Sequence, residues 1–353
     1  MFTNLSCAFV LYRITIVIPH FTQKKLKHRR IMTSAVDVPV DYSSFKTSVK
    51  KDEAFRVYTT DENTPARVVE HYKDMRTFQT VNFYKRMEEK YSFESGGRRM
   101  MTIEEAFAEL ESYIDASDPD MDLPNMLHLM QTAEGIRKAG HPDWMQLTGL
   151  LHDMGKIMFL WGTGEDGQDG YSPKGKQWAL GGDTFVVGCA IPDNAVVFPE
   201  FNKLNPDMSN PRYNSEYGIY EPHCGIDRVS EAITVISIIT LQTLSHNIVT
   251  IRQLMFAWGH DEYMHRMLVA NECTLPAEAL DMIRYHSAYP WHDKGAYKHL
   301  MAEEDEERIE WVKLFNRFDL YTKDGDNSLD LEEVWPYYKG LCAKYGLDGK
   351  LMW

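Results

Sequence analysis

Apolar residues recur at helical spacing in five stretches of the chain. Asp122-Leu123-Pro124 opens the first, which runs through NMLHLMQTAEGIRKA and is expected to stop at Gly140, a residue suited to the cap beyond a helix. Pro142 and Asp143 start the second, where Trp144, Leu147, Leu151 and Met154 follow an i, i+3, i+7, i+10 stripe. LMFAWGHDEYMHRMLVA reads as the third. Thr274 and Pro276 begin the fourth, AEALDMIRYHS, which must end before Pro290. The fifth covers Glu303 to Leu320, with Ile309, Val312, Phe315 and Asp319 along one face. Between the second and third, GDTFVVGCAIPDNAVVFPEF offers only short extended pieces, without alternation long enough for a sheet. The pattern predicts an all-α architecture in one domain.

Two stretches depart from this pattern. Trp161 to Lys176 is rich in Gly, Asp, Ser and Pro and reads as an exposed loop. Ser230 to Gln253 holds twelve Ile, Val or Thr among its 24 residues but no helical stripe. Removing it would join Val229 directly to Leu254.

Composition narrows the classes. With 38 Lys/Arg against 52 Asp/Glu, the formal charge of −14 repels phosphate backbones and anionic membrane surfaces, so neither nucleic acid nor membrane is an expected partner. At 44% apolar and 25% charged, the 353 residues are those of an ordinary globular protein. The five cysteines, Cys7, Cys189, Cys224, Cys273 and Cys342, are scattered without a C-x-x-C pair and point to a reducing compartment, taken as the cytoplasm. Residues 1–31 carry six Lys/Arg, and no acid precedes Asp37. The apolar run there, Ile14 to Pro19, is too short to span a bilayer. We expect residues 1–40 to be a dispensable basic extension, with an organellar transit peptide, or a true start at Met32, as its origin.

The chemistry sits on the helices. Of thirteen histidines, His128, His152, His260 and His286 fall in four separate predicted helices among apolar neighbours, and the fifth supplies Asp319 on an apolar stripe. A buried ionised carboxylate is costly unless protonated, paired or bound to metal. One such histidine alone would read as a satisfied core imidazole. Five helices together favour a metal, for which iron, zinc, copper and nickel suit imidazole, while a carboxylate can bridge two cations. His152-Asp153 and His260-Asp261 are both His-Asp dipeptides that the dipeptide alone does not rank. The setting LLHDMGK favours the first, because Gly155 permits close approach and Lys156, four residues after His152, is placed to bind an anionic oxygen or a hydroxyl. FNRFDLYTKDGDNSLDLEE imitates a calcium loop, but counting from Asp319 puts Gly325 at position 7 and Asp330 at position 12, so calcium binding is not expected.

SDPDMDLPN, QTAEGIRKAG, GLLHDMGK, QWALGGDTF, PRYNSEYGIYEPHCGIDRV, WGHDEYM, MIRYHSAYPWH, FNRFDLYTK and PYYKGL, spanning about Asp41 to Trp353, resemble the myo-inositol oxygenase family of the HD-domain superfamily. The resemblance implies an HD-type all-α bundle over residues 41–353 around a mixed-valent non-haem di-iron centre. It also implies that dioxygen and this centre cleave myo-inositol to D-glucuronate. Carried over residue by residue, one iron would be held by His128, His152 and Asp319, the other by His260 and His286, with Asp153 bridging. Arg56, Asp115, Lys156, Gly182, Asp183, Ser287 and Lys323 would form the hydroxyl-binding shell, with Lys156 also catalytic. Four neutral imidazoles and two carboxylates supply −2, leaving net positive charge on two irons to bind alkoxide oxygens. A monomer is expected. The alternative is an HD-type metal-dependent phosphohydrolase, against which stands the lack of clustered Arg/Lys for a phosphate. The family pattern is nearly continuous where this chain has its Gly-rich loop and Ser230 to Gln253. The second departure begins Val-Ser and ends in Gln, residues whose codons suit splice sites, and reads as a translated intron.

Overall fold

The computed structural model describes residues 64–111, 113, 115, 117, 125–170, 175–220, 251–321 and 331–353, all within the unit Tyr42–Trp353. These form helices α1 (Ala66–Phe78), α2 (Val81–Lys90), α3 (Ile103–Leu110), α4 (Asn125–Lys138), α5 (Asp143–Leu151), α6 (His260–Ala270), α7 (Ala277–Tyr285), α8 (Tyr289–His292), α9 (Asp305–Tyr321) and α10 (Leu331–Lys344). The only sheet among the described residues pairs β1 (Met100–Met101) with β2 (Leu351–Met352), antiparallel, Met100 opposite Met352. The all-α expectation holds.

Local chemistry sets the helix ends. Thr80 caps α2 by accepting from the Phe83 amide at 3.1 Å. Thr102 and Glu105 form a reciprocal capping box at α3. Pro142 and Pro276 precede α5 and α7, where their missing amide hydrogens are not needed. Asp305 opens α9, its Oδ2 accepting from the amides of Ala302 at 2.8 Å and Ile251 at 2.9 Å.

The helices that matter for chemistry pack together: α4 on α5, α6 on α7, and α9 against α4 and α7. Their buried faces carry Leu129, Ala133, Leu147, Leu151, Met264, Ile283, Val312 and Phe315. Burying one such side chain is worth about 1.5–3 kcal/mol. No helix among the described residues is long and apolar enough to cross a membrane.

Three expectations need correction. The third predicted helix begins only at His260. Residues 255–257 run extended instead, because their backbone pairs antiparallel with 185–187, Val187 N–H bonding Met255 O at 2.9 Å and Ala257 N–H bonding Phe185 O at 2.7 Å. The second ends at Leu151, and Met154–Leu160 continues as a 3-10 helix. Within the Gly-rich loop Gly167, Gln168 and Gly170 are buried rather than exposed, because Gly167 and Gly170 lie against the rings of Trp178 and of Phe159 and Tyr113, where a Cβ would collide. Residues 221–250 lie outside the described residues. Ile251–Gln253, the end of the segment read as inserted, forms a 3-10 turn with Ile251 fully buried, so these three residues belong to the folded unit.

Candidate metal centre

Six side chains from five segments meet in the core, none more than 4% exposed: His128, His152, Asp153, His260, His286 and Asp319. His128, His260 and Asp319 lie within helices, His260 only as the first residue of its own, α6. His152 and His286 are the cap residues closing α5 and α7. The expectation of four histidines inside four helices holds for His128 and His260 and is corrected for His152 and His286, which stand just past their helices, and the ends have a use. At each closing cap the ring turns back on its own last turn, His152 Nδ1 lying 2.8 Å from Gly149 O and His286 Nδ1 2.9 Å from Ile283 O. A carbonyl can only accept, so Nδ1 carries the proton and Nε2 presents a lone pair to the centre.

Asp153 stands between two groups of donors. Its Oδ1 lies 2.9 Å from His260 Nε2 and 3.4 Å from His286 Nε2; its Oδ2 lies 3.7 Å from His152 Nε2 and 4.0 Å from His128 Nε2. On the second side Asp319 Oδ1 sits 2.9 Å from His128 Nε2 and 3.4 Å from His152 Nε2. On the first, His260 Nε2 and His286 Nε2 are 3.0 Å apart. Donors that share a cation at ~2.1 Å are ~3 Å apart at a right angle and further at wider angles. Both groups fit that spacing. Hydrogen bonding within the protein does not account for the set, because His152 Nε2 and His260 Nδ1 are buried without a partner of acceptable geometry. A cation for His152 Nε2 and its neighbours repairs the first of these.

The break after His152 is what aims Asp153. His152 stays helical at φ −54°, ψ −41°, then Asp153 turns to φ −97°, ψ −1° and starts the 3-10 helix. Gly155 makes this possible: a Cβ there would stand 1.9 Å from the backbone oxygen of His260, so only glycine lets the first His-Asp turn lie against the start of α6.

Lys156 is buried, not a solvated helix-end lysine. Its Nζ lies 2.6 Å from Asp153 Oδ2 and 2.7 Å from Asp115 Oδ2. Burial would lower its pKa, but the two carboxylates hold it above the ordinary lysine value. Burial likewise opposes ionisation of Asp153 and Asp115, yet Lys156 holds both well below the carboxylate range, helped at Asp153 by His152 and His260 and at Asp115 by Ser117, whose N–H and O–H donate to Oδ1 at 2.8 and 2.6 Å.

Gly181, next to Gly182 and Asp183 of the expected hydroxyl-binding shell, packs on Asp115 and Ser117. Asp183 Oδ1 accepts from Tyr72 OH at 3.2 Å. Gly182, at φ +91°, carries the turn past His71 and Met75, where a Cβ would meet Met75 Cε at 2.7 Å. Ser287 Oγ is 3.4 Å from His260 Nε2, and its carbonyl accepts from Thr184 N–H at 2.8 Å. The structure thus brings Lys156 and Ser287 into contact with the six donors and Asp115 onto Lys156, while Gly182 and Asp183 lie between Gly181, which packs on Asp115, and Thr184, which bonds Ser287. Arg56 and Lys323, and the calcium-like loop from 322 to 330, lie outside the described residues.

The second His-Asp pair differs. Asp261 Oδ1 takes the Glu262 amide at 3.2 Å, Oδ2 has no partner, and burial pushes its pKa up to about 7. Glu262 beside it is buried but clamped by Arg284 (Nε to Oε2, 2.6 Å) and Arg266 (Nε to Oε1, 2.6 Å), which hold it near 2 against the opposing effect of burial. Sequence reasoning missed Glu262, His71, Tyr72, His292 and Asn316. Of these Asn316, three residues before Asp319 and four after Val312, had helical spacing to the marked stripe as its signal.

The family model described as myo-inositol oxygenase matches residues 65–234 and 240–353 of the chain. Inositol oxygenase of Mus musculus is 44% identical over 307 residues, covering 86% of this chain and 92% of its own length. That of Homo sapiens is 43% identical over 309 residues, covering 86% and 93%. Inositol oxygenase 1 of Arabidopsis thaliana is 42% identical over 301 residues, covering 85% and 84%.

Proposed function

The chain belongs to the myo-inositol oxygenase family, and on that premise we propose that it is an oxidoreductase that uses dioxygen to cleave the ring of myo-inositol to D-glucuronate at a di-iron centre. The observation that carries the reading is the Asp153 carboxylate, with one oxygen toward His260 and His286 and the other toward His128 and His152. That is how a carboxylate bridges two cations. His128, His152 and Asp319 would hold one iron, His260 and His286 the other. When bound, a mixed-valent iron pair supplies the dioxygen chemistry and acidifies coordinated hydroxyls.

The protein's own part is binding, orientation and exclusion of water. An ammonium has three N–H donors, and Lys156 directs two at Asp115 and Asp153. The third is left to donate to a substrate hydroxyl oxygen at the reacting carbon. Asp183 and Asp115 add carboxylate acceptors and Ser287 a hydroxyl, a set that matches several hydroxyls on one small ring. Arg56 and Lys323 complete the shell in this proposal. The burial of all six donors keeps bulk water from the centre. We assign the catalytic domain to residues 41–353 as an HD-type bundle, and place the protein in the cytoplasm as a monomer.

The test is glucuronate formation with simultaneous oxygen uptake from myo-inositol, using protein loaded with ferrous iron and a mild reductant. One glucuronate per dioxygen is expected. A folded protein that binds two irons yet forms no glucuronate would overturn the proposal.

A further inference from the structure

The carbonyl of His286 belongs to the last turn of α7, where a helix cannot satisfy its own acceptors. Two side chains from elsewhere satisfy it. Asn316 Nδ2 donates to it at 2.8 Å from α9, and His292 Nε2 lies 3.0 Å from it at the end of α8. The same residue's Nδ1 is tied to Ile283 O at 2.9 Å, so His286 is held through its carbonyl and through its ring. Asn316 stands one turn before Asp319 on the same helix face, and Asp319 contacts His128 and His152. A single side chain therefore joins the helix bearing a donor of one group to the backbone of a donor of the other.

The amide is not there for packing alone. Asn316 is 5% exposed, and its Oδ1 is buried without a partner. An unsatisfied buried acceptor is destabilising, a cost that an apolar residue of similar shape would avoid. What such a residue would not supply is the N–H to the His286 carbonyl.

We propose that Asn316 is a positioning residue that fixes His286, and with it the second metal position, relative to Asp319 and the first. The proposal rests on the two-metal reading above. Supporting groups of this kind typically change metal affinity about 10- to 100-fold. The experiment titrates Asn316→Leu and Asn316→Ser anaerobically with ferrous iron beside the unaltered protein, with the spin-coupled electron paramagnetic resonance signal of the half-oxidised pair as the second readout. The expected result is one site of unchanged affinity, a second weakened at least about tenfold, and loss or shift of the coupled signal in the leucine variant. The serine variant, which keeps a hydroxyl donor, should fall between. Two sites of unchanged affinity with an unaltered signal would overturn the proposal, as would equal weakening of both sites. Should the leucine variant fail to fold, the serine variant carries the same comparison. Unaltered protein that binds fewer than two irons would refute the two-metal reading instead, so the two failures are separable.

Discussion

His152-Asp153 closes a helix and His260-Asp261 opens one, and that difference decides what each aspartate does. At the closing end the chain leaves helical geometry at Asp153, which frees the carboxylate to stand between both histidine groups. Three residues later comes Lys156, which keeps it ionised. At the opening end the nearest partner for Asp261 is the first-turn amide of Glu262, the attraction expected of a helix N-terminus. Three residues after Asp261 stands Met264, and nothing there supports a buried charge. The two histidines point into the same centre, but only one aspartate follows its histidine there. The dipeptide is thus no motif by itself; its place in the helix and the residue three positions on give it meaning.

The strongest way to test the contrast is Asp153→Asn. The substitution keeps the shape and removes the charge both groups share. Altering residues that merely support ligands costs 10- to 100-fold in metal affinity, so loss of the shared carboxylate should cost at least ~100-fold at one position and abolish measurable turnover. Equilibrium dialysis with ferrous iron and an oxygen-uptake assay read both. Two tightly bound irons in this variant would sink the bridging assignment.

Lys156→Met comes next. A hydrogen bond from a charged group is worth about 1.5–3 kcal/mol, so turnover should fall about 10- to 150-fold, with both carboxylates left facing one another. Full turnover retained would remove Lys156 from the substrate shell.

Gly155→Ala probes the contact between the two dipeptides, since the new methyl would stand 1.9 Å from the His260 carbonyl. Overpacking of this kind costs ~1–3 kcal/mol, and a domain of this size loses about 2–4 °C in melting temperature per kcal/mol. A melting curve that superimposes on that of the unaltered protein would show that the two turns are not in contact.

These contrasts mark how much the sequence could tell. Helical spacing found the helices and placed five of the six donors on buried faces, because burial of one face is what the period encodes. It did not find where helices stop short, since FAW before Gly259 is apolar enough to read as helix and is instead an extended strand-like piece buried on both sides. It did not separate Asp153 from Asp261 beyond noting Gly155 and Lys156, because the distinction rests on a carboxylate's direction. Apart from Lys156, the expected hydroxyl-binding residues came from family resemblance alone: Asp115, Asp183 and Ser287 carry no local pattern, and only folding brings segments more than sixty residues apart together.

The smallest effect should come from Asp261→Asn, which completes the comparison with Asp153→Asn. Asp261 is 1% exposed, and one of its oxygens has no partner. The amide keeps an oxygen for the Glu262 N–H and removes a charge that burial disfavours, so stability should be unchanged or raised by up to ~1 kcal/mol. Iron stoichiometry should stay at two and turnover within about threefold. If this variant instead lost an iron, as Asp153→Asn should, the second dipeptide would be a functional equal of the first. The position of an aspartate at a helix start would then not be what silences it.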